Sequence, residues 1–133
     1  MRLLLDTHAF LWWINNDPLL SDPARAAIAV ERNECFLSLA SYWELAIKAS
    51  IGKIRLTKPI ERFIPEELTA NDFQLLPINF KHIAKVETLQ FHHRDPFDRL
   101  LVAQALSEKM TIIDPTVKPR RSGRGYKVQN SDS

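Results

Sequence analysis

The stretch Arg2 to Trp13, RLLLDTHAFLWW, constrains this chain more than any other. Three consecutive leucines read as a strand buried on both faces, the pattern of a parallel sheet. The run stops at Asp6, which puts a carboxylate at the strand's carboxyl end, the edge where open α/β sheets bind their ligands. Asp6 or Thr7 then caps a helix through Ala9, Phe10, Trp12, Trp13 and Ile14. On this stretch alone Asp6 is equally an N-cap and a candidate active-site acid, and other acids must separate the two readings.

The same unit recurs along the chain. Asn15-Asn16-Asp17-Pro18 breaks the first helix, and Ser21-Asp22-Pro23 opens a second over roughly Ala24 to Glu31, with a cap and an early proline. Cys35 to Leu39 is a short apolar strand, and Ser38 or Ser41 caps a helix from Tyr42 to Ser50. Gly52 ends that helix, Lys53 to Leu56 alternates like a short extended piece, and Pro59 opens a helix through Ile60, Phe63 and Ile64. Phe73 to Ile78 gives a third strand, followed by a helix from about Phe80 to Leu89. After the polar loop His92-His93-Arg94-Asp95-Pro96, Phe97 to Lys109 is strongly helical, and Met110 to Ile113 is another strand. Strands alternating with helices predict a parallel sheet covered on both faces, because parallel neighbours need long crossover connections.

Composition narrows the class. At 133 residues the chain fits one domain, and such a domain buries about two-thirds of its unfolded surface without disulfides. We expect a single domain over residues 1–133, with 114–133 a divergent, mobile C-terminal tail rich in Pro, Gly, Lys and Arg. The basic residues there read as a solvated tail, with phosphate-backbone contact as the alternative. The single cysteine, Cys35, reads as a buried core thiol and excludes both a disulfide framework and a cysteine-rich zinc site. The apolar run at the start is too short for a signal peptide and no segment is long enough for a membrane span, so a cytoplasmic protein without membrane contact is expected. A net charge of +2 is too small to argue nucleic-acid binding by itself.

Four places carry chemistry: Asp6 after the first strand, Glu44 on the helix of the second unit, the Asp95-Pro96-Phe97-Asp98 turn, and Asp114 after a late strand. A parallel sheet brings such positions to one edge. Carboxylates gathered in a dry pocket repel one another, so a metal ion usually neutralises them, and hard oxygen donors select Mg2+ or Mn2+. Magnesium keeps several waters and binds through one or two carboxylates together with substrate phosphates. One or two ions would acidify a water and aim it at a phosphodiester without a covalent protein intermediate.

The opening LLLDTHAFLWW, the middle SLASYWELAIKASIGKI and the late HHRDPFDRLLVAQAL resemble the PIN-domain ribonuclease toxins of bacterial toxin-antitoxin pairs, the VapC-like proteins. The likeness runs from about Arg2 to Ile113. It implies a three-layer α/β/α sandwich with a central parallel sheet and metal-dependent endonucleolytic cleavage of RNA. It also implies a small cognate antitoxin that blocks the site, and a homodimer. Carried over residue by residue, Asp6 matches the family's first acid, Glu44 in Tyr42-Trp43-Glu44-Leu45 the second, and Asp98 in Asp98-Arg99-Leu100-Leu101-Val102-Ala103 the third. Each would serve as a catalytic metal ligand, directly or through water. Asp95 reads as a turn or helix cap before Pro96 in preference to a ligand.

The chain departs from the family at the fourth acid. Related sequences usually place a short Thr- or Ser-containing turn before it, whereas here Ile113 leads directly to Asp114-Pro115-Thr116. Asp114 is either the same ligand on a shortened loop or a bystander. The family's closing strand is reduced to Tyr126-Lys127-Val128. A catalytically impaired module that binds RNA or antitoxin without cleavage is therefore the alternative reading. A phospho-aspartate signalling domain is a third, against which counts the lack of a Thr/Ser and Lys pair on late strand ends.

Several other residues take the blander of two roles. His92 and His93 read as exposed loop residues, and Lys48 as an ion-pair partner of Glu44 at i to i+4. Trp12, Trp13 and Trp43 read as core or dimer packing in preference to base stacking.

Overall fold

The structure, a computed structural model, describes residues 1–90 and 95–115. His92, His93 and the reduced closing strand at Tyr126 to Val128 lie outside the described residues, as does the tail beyond Pro115. In chain order the elements are β1 (Arg2–Leu5), α1 (Thr7–Ile14), α2 (Asp22–Ala29), β2 (Glu34–Ser38) and α3 (Leu39–Ser50). They continue with α4 (Ile60–Asn71), β3 (Gln74–Leu76), α5 (Phe80–Glu87), α6 (Pro96–Glu108) and β4 (Thr111–Ile113).

Among the described residues the strands form one sheet, ordered β3-β2-β1-β4, with every neighbouring pair parallel. The chain steps outward from β1 to β2 and β3, then returns to lay β4 on the other side of β1. That reversal makes the carboxyl ends of β1 and β4 the topological switch point, the position where doubly wound sheets bind ligands.

Period-two alternation sorts the core into two layers. Leu3 and Leu5 of β1, Cys35 and Leu37 of β2 and Ile113 of β4 pack against Phe10, Ala24, Ile28, Phe63 and Ile64 from α1, α2 and α4. Leu4, Phe36, Leu76 and Ile112 face the opposite way, onto Leu101 and Ala105 of α6. The three leucines of β1 are fully buried, and each stabilises the fold by about 1.5–3 kcal/mol relative to an exposed side chain. Helix α3 joins both layers, Leu45 in the first and Ala40 in the second. The sheet is thus the middle of three layers, as the sequence predicts. Cys35 is a buried free thiol, and burial pushes it up to about 11.

Boundaries differ from the sequence reading where a cap decides them. Of the two caps open for α3, Ser38 takes the role: the last residue of the strand, it accepts a hydrogen bond from the Ala40 N–H and starts the helix at Leu39, three residues before the expected Tyr42. Ser41 is therefore inside the helix, with its hydroxyl available for another partner. Similarly, Ser21 caps α2 and begins it at Asp22, two residues ahead of expectation. Helix α4 continues through Pro65 to Asn71, anchored by buried Phe63 and Ile64. Lys53 to Leu56 joins no strand, although Ile54 and Leu56 pack against the core.

A buried polar chain ties α3, α5 and α6 together. His82 Nδ1 receives the Asn79 N–H at 3.2 Å, so the ring proton sits on Nε2 and is donated to Glu108 Oε2 at 2.7 Å. Gln104 Nε2 lies 3.3 Å from the same Nδ1 and donates to the Pro77 carbonyl at 3.2 Å, while Gln104 Oε1 accepts from the Ser38 hydroxyl. His82, Gln104 and Ser38 are all fully buried, and pairing offsets the cost of burying them.

Candidate active site

Register places the first two acids. Leu5 pairs with Ile113 across β1 and β4, and the Asp6 N–H continues that ladder to the Ile113 carbonyl at 3.3 Å. Asp6 and Asp114 therefore leave the sheet side by side, on strands that neighbour each other about 4.8 Å apart. The shortened turn after Ile113 leaves Asp114 close enough to act on the charge of Asp6.

Asp6 also caps α1, its carboxylate accepting the Thr7 N–H at 2.8 Å. The cap and site readings of the sequence are thus not alternatives. Its carboxyl is pushed up from the usual 3.8 to about 7, mainly by burial and next by the charge of Asp98. The Thr7 N–H pulls the other way, and Asp114 and Glu44 add smaller upward pushes. The other three acids singled out in the sequence therefore all bear on Asp6 electrostatically.

Asp98 stands in the first turn of α6, where the helix N-terminus favours negative charge. The cap of that helix is Asp95, which accepts the Phe97 N–H at 2.7 Å and the Asp98 N–H at 3.3 Å. Asp95 is exposed and has the capping role expected of it.

Glu44 is buried on α3, with both oxygens engaged. Lys48 lies 3.0 Å from Oε2, one helical turn on, as its spacing predicts. The Thr7 hydroxyl lies 2.8 Å from Oε1 and 2.8 Å from the Ser41 hydroxyl. Sequence reasoning saw Thr7 and Ser41 only as possible caps. Their place in the site depends on α1 meeting α3 and on Ser38 having taken the cap of α3.

Trp12 and Trp13 are half-buried against the first core layer, and Trp13 Nε1 donates to Asn71 Oδ1 at 3.0 Å. Trp43 is different: it is 58% exposed and meets Phe97 edge to face, with ring centroids 5.0 Å apart.

Among the described residues no three His, Cys, Asp or Glu side chains stand close enough to ligate one ion. The donor set nevertheless fits a hard divalent cation: it is all carboxylate, its mutual repulsion is expressed in Asp6, and Mg2+ binds through one or two carboxylates with waters completing its shell.

A parallel α/β/α sandwich with acids gathered at the topological switch point defines a class of ligand-binding α/β domains. The PIN domain family matches residues 3–115, and the chain belongs to it. Its fold is similar to that of VapBC2 from Rickettsia felis, solved bound to a DNA fragment from its promoter. That match has a TM-score of 0.63 and 16% identity and covers 86% of this chain and 87% of the other. VapBC-1 from nontypeable Haemophilus influenzae matches with a TM-score of 0.57 and 20% identity over 86% of each chain. No curated protein matches the chain by sequence.

Proposed function

We propose that the protein is a divalent-metal-dependent endoribonuclease, the toxin half of a toxin-antitoxin pair. The observation that carries this reading is the placing of Asp6, Glu44, Asp98 and Asp114 about the carboxyl edge of β1 and β4, where the last three all add to the rise that burial imposes on Asp6. Acids that share an edge in this way suit a cation, and membership of the PIN family points to a nuclease. Asp6, Asp98 and Asp114 would hold the ion, with Glu44 joining directly or through water, and Mg2+ is the expected ion with Mn2+ as substitute.

When bound, the ion neutralises the acids and acidifies the attacking water. In the hydrolysis, water oxygen bonds to phosphorus, the bond to the leaving ribose oxygen breaks, and that oxygen takes up a proton. The chain's own contribution is to hold the acids in place from a strand end, two helix N-termini and a buried helix position. The expected substrate is single-stranded RNA, whose unstacked bases can be read directly.

The VapBC neighbours support a cognate antitoxin as partner, and the acid cluster is where we expect it to block the site. A homodimer is supported by Leu39, Trp43, Ile47 and Ile51, exposed at every fourth residue of α3 and its end, a stripe too apolar to face water alone. The cytoplasm is the fitting compartment for a free buried thiol, and no described helix is long and apolar enough to cross a membrane.

A second reading, a non-cleaving module that binds RNA or antitoxin, is favoured by the engagement of both Glu44 oxygens with Thr7 and Lys48. One experiment separates the two: a mixed structured and single-stranded RNA pool incubated with wild type or Asp98→Asn, each with Mg2+, Mn2+ or EDTA. Discrete metal-dependent cuts by wild type alone support the nuclease. Folded wild type that never cuts moves the assignment to the binding module.

A further inference from the structure

Two acids of the cluster arrive on different elements, and one residue touches both. The Thr7 backbone N–H donates to Asp6 Oδ1 at 2.8 Å, and the Thr7 hydroxyl lies 2.8 Å from Glu44 Oε1. A hydroxyl has one proton, and a carboxylate paired with a lysine can only accept, so that proton goes to Glu44. The Ser41 hydroxyl, 2.8 Å away, then donates to Thr7 Oγ1 and fixes its rotor from the other side. Thr7 is 2% exposed, and its β-branched side chain is stiff about χ1.

We propose that Thr7 is a positioning residue of the active site, a clip that sets the Asp6 carboxylate relative to that of Glu44 by using its backbone on one and its side chain on the other. This rests on the metal-dependent reading above. Glu44 is held at Oε1 by Thr7 and at Oε2 by Lys48, so its direction is set before an ion arrives. Asp6 is held through Oδ1 at the start of α1, so any shift of α1 against α3 moves the two acids relative to each other. Partners that orient a metal's ligands in this way typically change its affinity by about 10- to 100-fold when removed.

The test is a Mn2+ titration of the full chain, followed by the electron paramagnetic resonance of the free ion, for wild type, Thr7→Val and Thr7→Ser. Valine keeps the shape and removes the hydroxyl, so Mn2+ should bind Thr7→Val about 10- to 100-fold more weakly. Thr7→Ser restores the donor and should recover most of the affinity. Ile28→Val, a core truncation in α2, serves as the control for lost stability and should bind Mn2+ as wild type does. If Thr7→Val does not fold, Ser41→Ala carries the test: it keeps the Thr7 hydroxyl but frees its rotor, and should weaken Mn2+ measurably. Wild-type affinity in folded Thr7→Val, or in Ser41→Ala where that variant carries the test, overturns the clip and leaves the nuclease reading intact. Absence of Mn2+ binding by wild type overturns the metal-dependent reading, and the clip with it.

Discussion

Asp6 and Asp114 are neighbours because Leu5 pairs with Ile113 in a parallel ladder, which the Asp6 N–H extends by one more bond to the Ile113 carbonyl. Two residues from opposite ends of the described chain thus come to one edge of the sheet. The burial of Asp6, reinforced by the charge of Asp98 and less by those of Asp114 and Glu44, has consequences that can be measured without any substrate.

The first concerns pH. The Asp6 carboxyl is raised from 3.8 to about 7, so between those values the folded protein keeps a proton that the unfolded chain releases. Metal-free stability therefore falls as pH rises through that window; the penalty is absent below about 4 and complete above about 7. Its size is roughly 4 kcal/mol at 1.36 kcal/mol per pH unit. Asn caps a helix as well as Asp does, so Asp6→Asn removes the penalty and keeps the cap. In EDTA, the variant should unfold at higher urea than wild type at pH 8 and at the same urea at pH 4. Parallel pH profiles for the two proteins would count against the acid cluster as described.

A second concerns the ion. A ligand that binds only the folded state at 100 times its Kd stabilises by about 2.7 kcal/mol. Adding MgCl2 or MnCl2 to the EDTA-treated protein should raise the melting temperature by several degrees over NaCl at equal ionic strength. Asp98→Asn should remove most of that rise, and an undiminished shift would take Asp98 out of the site.

Two aspartates three residues apart separate a cap from a proposed metal ligand. Asp95→Ala should cost about 1 kcal/mol by loss of the bonds to the Phe97 and Asp98 N–H groups, and Asp95→Asn should cost little. Asp95→Asn should still cleave RNA, whereas Asp98→Asn should be folded and inactive. The reverse pattern would exchange their roles.

The apolar stripe on α3 makes a prediction about assembly. Trp43 is 58% exposed and stacks edge to face with Phe97, so Trp43→Glu puts a charge on the stripe at a position outside the buried core. Light scattering after size-exclusion chromatography should report a dimer for wild type and a monomer for the variant. A dimer in both would place the self-association surface elsewhere.

Gln104 joins Ser38, Pro77 and His82, and Gln104→Leu leaves their buried polar atoms short of partners. The loss should be about 1–3 kcal/mol of unfolding free energy, read from chemical denaturation. Since Ser38 caps the helix that carries Glu44, RNA cleavage should fall as well.

Much of this architecture is written locally. The run Leu3-Leu4-Leu5 specifies a strand buried on both faces, because three adjacent apolar residues must point both ways. Asp95 before Pro96, and Ser21 before Asp22-Pro23, announce helix starts through short-range capping that needs no distant partner. The order of three stretches around Asp6, Glu44 and Asp98 was enough to point to the PIN family, which the family match bears out.

Other features depend on which distant segments meet. That Asp6 and Asp114 share an edge is legible from their places at strand ends, but that they stand on adjacent strands follows only from the register of β4 on β1 and from the chain's return across the sheet. Thr7 and Ser41 look like caps in the sequence because capping is a local bond; they become part of the acid site only when α1 packs on α3 and Ser38 has already capped that helix. Periodicity and capping act over a few residues and can be read from the chain, whereas a side chain's partner across the core is chosen by the packing of the whole.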